Sequence, residues 1–403
     1  MEITAIAAGG DGVSRHEGLV IFTPRTVPGD VAEIEFVPGP RFARGALRAL
    51  RAAAPDRVEP VCVHYNRDKC GGCQLQHLSY EAQLTAKGRI VADALRRIGH
   101  REVEPPPVRP SPAQWRYRRK LTLALRRRGA AWYAGMHPYD APGRVFAVEE
   151  CPITDERVLA VWREVLARGA NLPDAAELRG AVRVEDEGAS FSLEGGASWP
   201  ASGKFFARVP SLASLWWTPE GGARRRIEHR GADGAPGASF AQVNRGLAAE
   251  LQSHVLARAL SYAPATLVDA YAGTGDTAAA AALAGVKVTA IELDEDAVAW
   301  CERRLPHGAR AIAARVEDVI ASVLPADVVV LNPPRAGVER PVTAALEGEG
   351  SARAIIYVSC DPATLARDLA RMPRWRIASL ACFDMFPQTA HVETVCELVP
   401  EAA

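Results

Sequence analysis

From about residue 239 to the C-terminus, strand-like apolar runs alternate with helical stretches, and no other feature restricts the fold as strongly. The runs stand at 266–270, 287–293, 328–331 and 354–358. A strand, a helix and a second strand running the same way need a crossover, and such crossovers are right-handed. The pattern therefore predicts an α/β unit with a parallel sheet under helices. Two later runs, 376–383 and 391–399, follow one another without a helix and read as an antiparallel pair at the sheet edge. Sheets of this kind bind ligands beyond the carboxyl ends of their strands.

The first run ends in Asp269 and Ala270 and leads into Tyr271-Ala272-Gly273-Thr274-Gly275. Gly273 and Gly275 permit a tight turn and close approach of a ligand to the backbone. The second run carries Glu292 near its end, where a carboxylate can accept both hydroxyls of a ribose. Asp318 follows a further short strand and is placed to meet an adenine ring. The third glycine of the dinucleotide fingerprint is missing, which argues against NAD. A strand-to-helix turn without any ligand would give the same Gly-x-Gly spacing.

Three segments supply chemistry: Asn332-Pro333-Pro334-Arg335, Ser359-Cys360-Asp361-Pro362, and the run from Phe386 to Thr394 that contains His391 and Glu393. The first two follow apolar strands and so belong at the same sheet edge as the glycine turn. A thiol just before an Asp-Pro helix start is expected to gain thiolate character from the helix N-terminus. Together Cys360 and Glu393 suit one reaction type. Carbon 5 of uracil becomes nucleophilic only when a thiolate adds to carbon 6, and a base must afterwards remove the carbon 5 proton.

The rest of the 403 residues has room for two more units. Residues 1–54 alternate short apolar runs with turns and read as a small all-β domain, closing with Arg41, Arg44, Arg48 and Arg51. Residues 80–98 carry a helical pattern ended by Gly99, whereas 105–235 reads as irregular, with a boundary at 231–238. Cys62, Cys70 and Cys73, with Cys151 as the fourth, suit either zinc or a [4Fe–4S] cluster. Cys301, Cys382 and Cys396 fit no motif and are expected to pack. Residues 115–120 and 126–128 join Trp115 and Tyr117 to a run of cations, a pattern that can track phosphates and stack unpaired bases. Lys plus Arg and Asp plus Glu both number 48, so any nucleic-acid surface must be local. No run has the length of a membrane span, and the opening residues lack a secretory pattern, so a cytoplasmic protein is expected.

Asp269-Ala-Tyr-Ala-Gly-Thr-Gly, Asn332-Pro-Pro-Arg, Ser359-Cys-Asp-Pro-Ala-Thr-Leu-Ala-Arg-Asp and His391-Val-Glu-Thr-Val together resemble the RNA 5-methyluridine (uracil-C5) methyltransferase family. The resemblance spans nearly the whole chain. It implies a class I S-adenosylmethionine-dependent methyltransferase (Rossmann-like) domain at 236–403. It also implies an OB-like TRAM β-barrel for RNA binding at 1–54, and a central domain at 55–235 with a cysteine cluster. Cys360 would be the nucleophile and Glu393 the base. Gln242, Tyr271, Gly273, Glu292 and Asp318 would bind S-adenosylmethionine, and Cys62, Cys70, Cys73 and Cys151 would hold a [4Fe–4S] cluster. A TRAM domain with a cluster looks most like the enzymes of 23S rRNA. A monomer is expected of an enzyme that must accommodate a large RNA. One position departs from the family's Asp-Pro-Pro-Arg: here it is Asn332, whose amide can accept from uracil N3–H and donate to O4. That asparagine motivates a rival reading, methylation of an exocyclic amino group by an Asn-Pro-Pro motif, in which Cys360 has no role. A non-catalytic RNA-binding protein that keeps the fold is the third reading.

Overall fold

The computed structural model describes residues 1–129, 131–186, 188–230 and 242–401. The boundary expected at 231–238 lies outside the described residues. Three sheets organise the chain. The first contains β1 (Ala5–Ile6), β2 (Gly12–His16), β3 (Leu19–Thr23), β4 (Val31–Val37) and β5 (Phe42–Ala52), in the order β1-β2-β3-β5-β4. Its two edges meet, because the chain start pairs with β4 through Glu2 and Val31 and through Met1 and Ala32. Asp30 is fully buried and binds the N–H groups of Val27 and Ala54 and the Arg57 guanidinium. Burial alone would raise its pKa, but Arg57 and the two amides outweigh it and hold the carboxyl below its ordinary range. The arginines of β5 are not a free basic stripe: Arg44 pairs with Asp11, Arg48 with Glu35 and Arg51 with Glu33.

Helices α1 (Val63–Arg67) and α2 (Tyr80–Arg97) and the short strand β6 (Val108–Arg109) follow. The stretch read as irregular then forms a seven-stranded sheet. Its members are β7 (Lys120–Arg128), β8 (Ala131–Met136), β9 (Phe146–Ala147), β10 (Glu177–Glu185), β11 (Gly188–Glu194), β12 (Leu212–Thr218) and β13 (Arg225–His229), with α3 (Glu156–Ala167) and α4 (Ser202–Arg208) between them. Strand β7 shows why it forms: Leu121, Leu123 and Leu125 alternate with polar residues and all point into a core with Trp162, Phe191, Phe205 and Trp217. What made the segment look irregular is its punctuation, since turns rich in Pro and Gly separate the strands.

The third sheet comprises α5 (Arg245–Leu260), β14 (Thr266–Ala270), α6 (Asp276–Leu283), β15 (Lys287–Glu292), α7 (Glu295–Arg304), β16 (Arg310–Ala313), α8 (Val316–Val323), β17 (Ala326–Leu331), α9 (Arg340–Leu346), β18 (Ala352–Ser359), α10 (Pro362–Ala370), β19 (Trp375–Phe383) and β20 (Glu393–Pro400). The strand order is β16-β15-β14-β17-β18-β20-β19-β6. Strands β14 to β18 are parallel, and β20 is antiparallel between β18 and β19. The order reverses between β14 and β17, which opens a crevice at their carboxyl ends. This is the class I methyltransferase fold. The β19–β20 pair is antiparallel as expected, but it is not the edge. Strand β6 from the middle of the chain adds to β19 in parallel, with Cys382 facing Val108, and Val91 and Leu95 of α2 join the same core as β14 and β17. An edge strand with unpaired backbone groups is thereby covered.

Candidate active site

At the end of β14 the chain turns through three left-handed residues, Tyr271 at φ +62°, Gly273 at +55° and Gly275 at +75°. A Cβ on Gly275 would fall 2.1 Å from Sγ of Cys301 on α7, so this glycine lets the turn and helix pack. A Cβ on Gly273 would meet nothing within 4 Å, so its face is open to a ligand. The Gly273 N–H donates to Glu292 at 2.9 Å, and the other carboxylate oxygen of Glu292 accepts from Leu293 and Asp294. Behind the turn, Asp269 is 2% exposed and has one oxygen without a partner. Burial pushes its pKa up to about 7, with the charges of Asp276 and Glu292 adding to the rise against a backbone bond from Ala278. Asp318 stands exposed in the first turn of α8. Gln242 is half-buried just before α5, and its neighbours Val243 and Asn244 pair with Arg119 and Arg118.

The next strand of the crevice, β17, ends at Leu331, and the Asn332 N–H bonds the Ala270 carbonyl at 3.2 Å, beside the glycine turn. The loop that follows is stitched to α10. Thr364 donates to the Arg335 carbonyl, Arg367 donates to Ala336, and buried Asp368 accepts from the Val338 N–H and the Tyr357 hydroxyl. Sequence reasoning quoted Thr364, Arg367 and Asp368 as motif without a role, and this stitching is their role.

Cys360 lies between β18 and α10, half-buried. The pairing of Ser359 with Thr394 carries on to bring Cys360 opposite Glu393, the first residue of β20. Glu393 is 2% exposed, and its Oε2 has no hydrogen-bond partner. Burial pushes its pKa up to about 8, opposed by the charge of Arg335. Burial and then the Glu393 charge push the Cys360 thiol up to about 11, again opposed by Arg335. Burial thus outweighs the expected lowering by the helix start, and Asp361 caps α10 and takes the N–H groups of Ala363 and Thr364. Arg335 and His391 were quoted in the sequence motifs without a role. His391 is held neutral, with a pKa near 4, by burial first and then by the charges of Arg335 and Lys87.

The family model described as tRNA (Uracil-5-)-methyltransferase matches residues 307–399, which include Asn332, Cys360 and Glu393. A protein of Gloeobacter violaceus named as an uncharacterized RNA methyltransferase is 32% identical over 98% of this chain and 95% of its own length. One of Thermosynechococcus vestitus with the same description is 30% identical over 99% and 97%. The chain belongs to the RNA (uracil-5-)-methyltransferase family. Among solved structures, the tRNA (uracil-54, C5)-methyltransferase of Pyrococcus abyssi, in complex with S-adenosyl-L-homocysteine, shares the fold with a TM-score of 0.72 at 24% identity. The match covers 99% of this chain and 98% of that one.

In this methyltransferase the four cysteines of the N-terminal half converge. Cys62 precedes α1, Cys70 pairs with Pro138 beside β8, and the Cys73 thiol feels the charges of Cys151, Cys70 and Cys62, that of Cys70 those of Cys151 and Cys62, and that of Cys62 the charge of Cys151. The Gly72 N–H points to Sγ of Cys70 at 3.4 Å and the Thr154 hydroxyl to Sγ of Cys151 at 3.2 Å. Among the described residues, no three His, Cys, Asp or Glu side chains are grouped so as to hold a metal ion. Cys301, Cys382 and Cys396 are buried in the core, as expected of packing residues.

The cationic segment departs from its reading. Tyr117 is buried and its hydroxyl donates to the Pro387 carbonyl at 3.0 Å, so it cannot stack a base. Arg127 and Arg128 lie over Trp132 and Tyr133, and Arg126 and Arg127 pair with Glu177 and Asp174. No helix among the described residues is long and apolar enough to cross a membrane.

Proposed function

We propose that the enzyme transfers a methyl group from S-adenosylmethionine to carbon 5 of a uridine in RNA, with Cys360 as nucleophile and Glu393 as base. The observation that carries this reading is the meeting of Cys360 and Glu393 at the ends of neighbouring strands, beside the loop of Asn332 and the mouth of the glycine crevice. Sγ of Cys360 bonds to carbon 6. The carbon 5 electron pair takes the methyl group, and the C–S bond of the sulfonium breaks. Glu393 then removes the carbon 5 proton, the ring double bond re-forms and Sγ leaves. One proton is released per turnover. The orphaned Oε2 of Glu393 is the acceptor that the last step requires.

Glu292 would hold the ribose hydroxyls, Gly273 and Tyr271 the turn around the methionine part, Asp318 the adenine and Gln242 the outer side. The acids around the turn, Asp269, Asp276 and Glu292, favour the positive sulfonium over the neutral product, which aids release after transfer. Asn332 would hold the uracil edge.

Cys62, Cys70, Cys73 and Cys151 would hold a [4Fe–4S] cluster, and what supports this is that the Cys73 thiol feels the charges of Cys151, Cys70 and Cys62. When bound, the cluster supplies a cross-link between the segment 62–73 and Cys151. Residues 1–54 act as a TRAM-type RNA-binding barrel, 55–235 as the central domain and 236–403 as the catalytic domain of a monomeric, cytoplasmic enzyme. The 23S rRNA is our first substrate. The Pyrococcus abyssi enzyme is named for tRNA and matches this chain end to end, so domain content alone does not separate the two RNAs.

Labelled S-adenosylmethionine, unmodified ribosomal and transfer RNA, and nucleoside analysis of the product test the proposal. Wild type should form 5-methyluridine, and Cys360→Ala should form at least about a thousandfold less. An N-methylated base, or an active Cys360→Ala, would sink the thiol mechanism in favour of amino-group methylation through Asn332. Cofactor binding without transfer to either RNA would favour a binding protein.

A further inference from the structure

The loop that delivers Glu393, between β19 and β20, is held from outside the catalytic sheet. At its tip Gln388 is buried with φ +70°, a left-handed backbone that a side chain disfavours. A loop does not keep such a conformation unless its surroundings impose it. Here they do. The Gln388 carbonyl accepts from the N–H groups of Gln74 at 3.1 Å and Leu75 at 3.0 Å, directly after Cys73. Its N–H donates to Oε1 of Gln83 on α2, and its own side-chain oxygen accepts from Nε2 of Gln83, both at 3.0 Å. Nε2 of Gln83 also reaches the carbonyls of Leu75 and Leu78, so one buried amide joins α2, the cysteine segment and the loop. Nearer the sheet, fully buried Lys87 of α2 binds Asp384 at 2.5 Å and the Phe386 carbonyl at 3.1 Å.

We propose that Gln83 is a positioning residue for Glu393, and that the segment from Cys73 to Leu75 couples the integrity of the cysteine group to the same loop. This rests on the reading of Glu393 as the base. Proton removal at carbon 5 needs the carboxylate within hydrogen-bond reach of that proton, and a displacement of about 1 Å costs on the order of a hundredfold. The addition of Cys360 to carbon 6 and the methyl transfer need neither the loop nor its clamp. A loosened loop therefore slows one step alone, the one that follows methyl transfer, and leaves RNA attached to Cys360 with the methyl group already in place.

The test is single-turnover reaction of the full-length protein with RNA, reading released 5-methyluridine and, on a denaturing gel, methylated RNA covalently bound to protein. Gln83→Leu should release product at least tenfold more slowly while the bound methylated RNA accumulates, with S-adenosylhomocysteine affinity within about twofold of wild type. A merely structural role would lower both readouts together, and that result, or no change in either, overturns the proposal. Glu393→Gln is the reference: if it accumulates no bound RNA, the assignment of the base fails rather than the clamp. Should Gln83→Leu lose S-adenosylhomocysteine binding, Gln74→Ala carries the same expectation and the same refutation. Gln74 is half-buried and accepts from the Ala390 N–H at 3.4 Å.

Discussion

Glu393 illustrates how one residue sets a pH dependence. Its acid form is favoured in the folded protein, with the pKa pushed from 4.5 to about 8 by burial. A raised acid stabilises the fold fully below its unfolded pKa, and that contribution is lost as pH rises through the folded value. Stability should therefore fall between pH 5 and pH 8, by roughly 4 kcal/mol at most. Glutamine copies the protonated acid, so the melting temperature of Glu393→Gln relative to wild type should climb steadily from pH 5 to pH 9; a constant difference would mean that the carboxylate finds a partner in the fold. Turnover moves the opposite way in wild type. The base must be ionised and the Cys360 thiol, pushed up to about 11, must lose its proton, so the rate of turnover should rise between pH 6 and pH 9. At Asn332 the argument is about recognition. Its amide can meet both N3–H and O4 of uracil, and a base left without those partners is bound more weakly. Asn332→Ala should lower kcat/KM for RNA by about a hundredfold with S-adenosylhomocysteine affinity unchanged, measured by initial rates and calorimetry.

Among the elements, the start of α6 couples the cofactor turn to α7. Gly275 has φ +75° and leaves no space for a Cβ above Cys301. Gly275→Ala should weaken S-adenosylhomocysteine binding at least tenfold, and adding Cys301→Ala should recover only part of it. The second change removes the clash with sulfur but not the backbone strain. Binding isotherms of the single and double variants decide this, and full recovery would mean that the clash alone matters. This turn was legible because a strand ending in an acid and followed by Gly-x-Gly is a local pattern. So were β14, β15, β17 and β18, whose apolar runs report burial on both faces. Strand β6 was not legible: two residues, Val108 and Arg109, carry no periodicity, and their pairing with β19 is set by contacts far away in sequence. The pairing of Cys360 with Glu393 was read from chemistry, but the environment of each was not. The expected thiolate did not account for burial or for Asp361 already filling the helix cap. The clamp on Gln388 was equally hidden, since no sequence rule connects Gln83 to a residue some 300 positions later.

At the scale of the molecule, a neutral protein has to bind a polyanion, and many of its arginines already have carboxylate partners. One lysine stands among cations where the second sheet meets the cofactor crevice. Lys120, at the start of β7, lies opposite Arg183 of β10, and among the described residues no carboxylate is within ion-pair distance of its ammonium. Arg118 stands beside it, and Arg224 reaches across to Asp294 at the cap of α7, two residues after Glu292. Burial first, and then Arg183, Arg179, Arg118 and Arg224, lower the pKa of Lys120. A lowered lysine destabilises the fold at every pH below its folded pKa, and the penalty is relieved only as pH rises through that value. At neutral pH, then, the free enzyme tolerates a charge that works against it, which makes sense if an RNA phosphate supplies the missing anion. Lys120→Met removes both sides of this balance while keeping the apolar stem. It should raise the melting temperature of the free enzyme and weaken RNA binding about three- to tenfold at physiological salt. It should also make the plot of log affinity against log salt shallower by roughly 0.7, the share of one phosphate contact on a single strand. A stabler protein with unaltered RNA affinity would place the RNA elsewhere. An unaltered melting temperature with weaker binding would mean that solvent already screens the cations from one another.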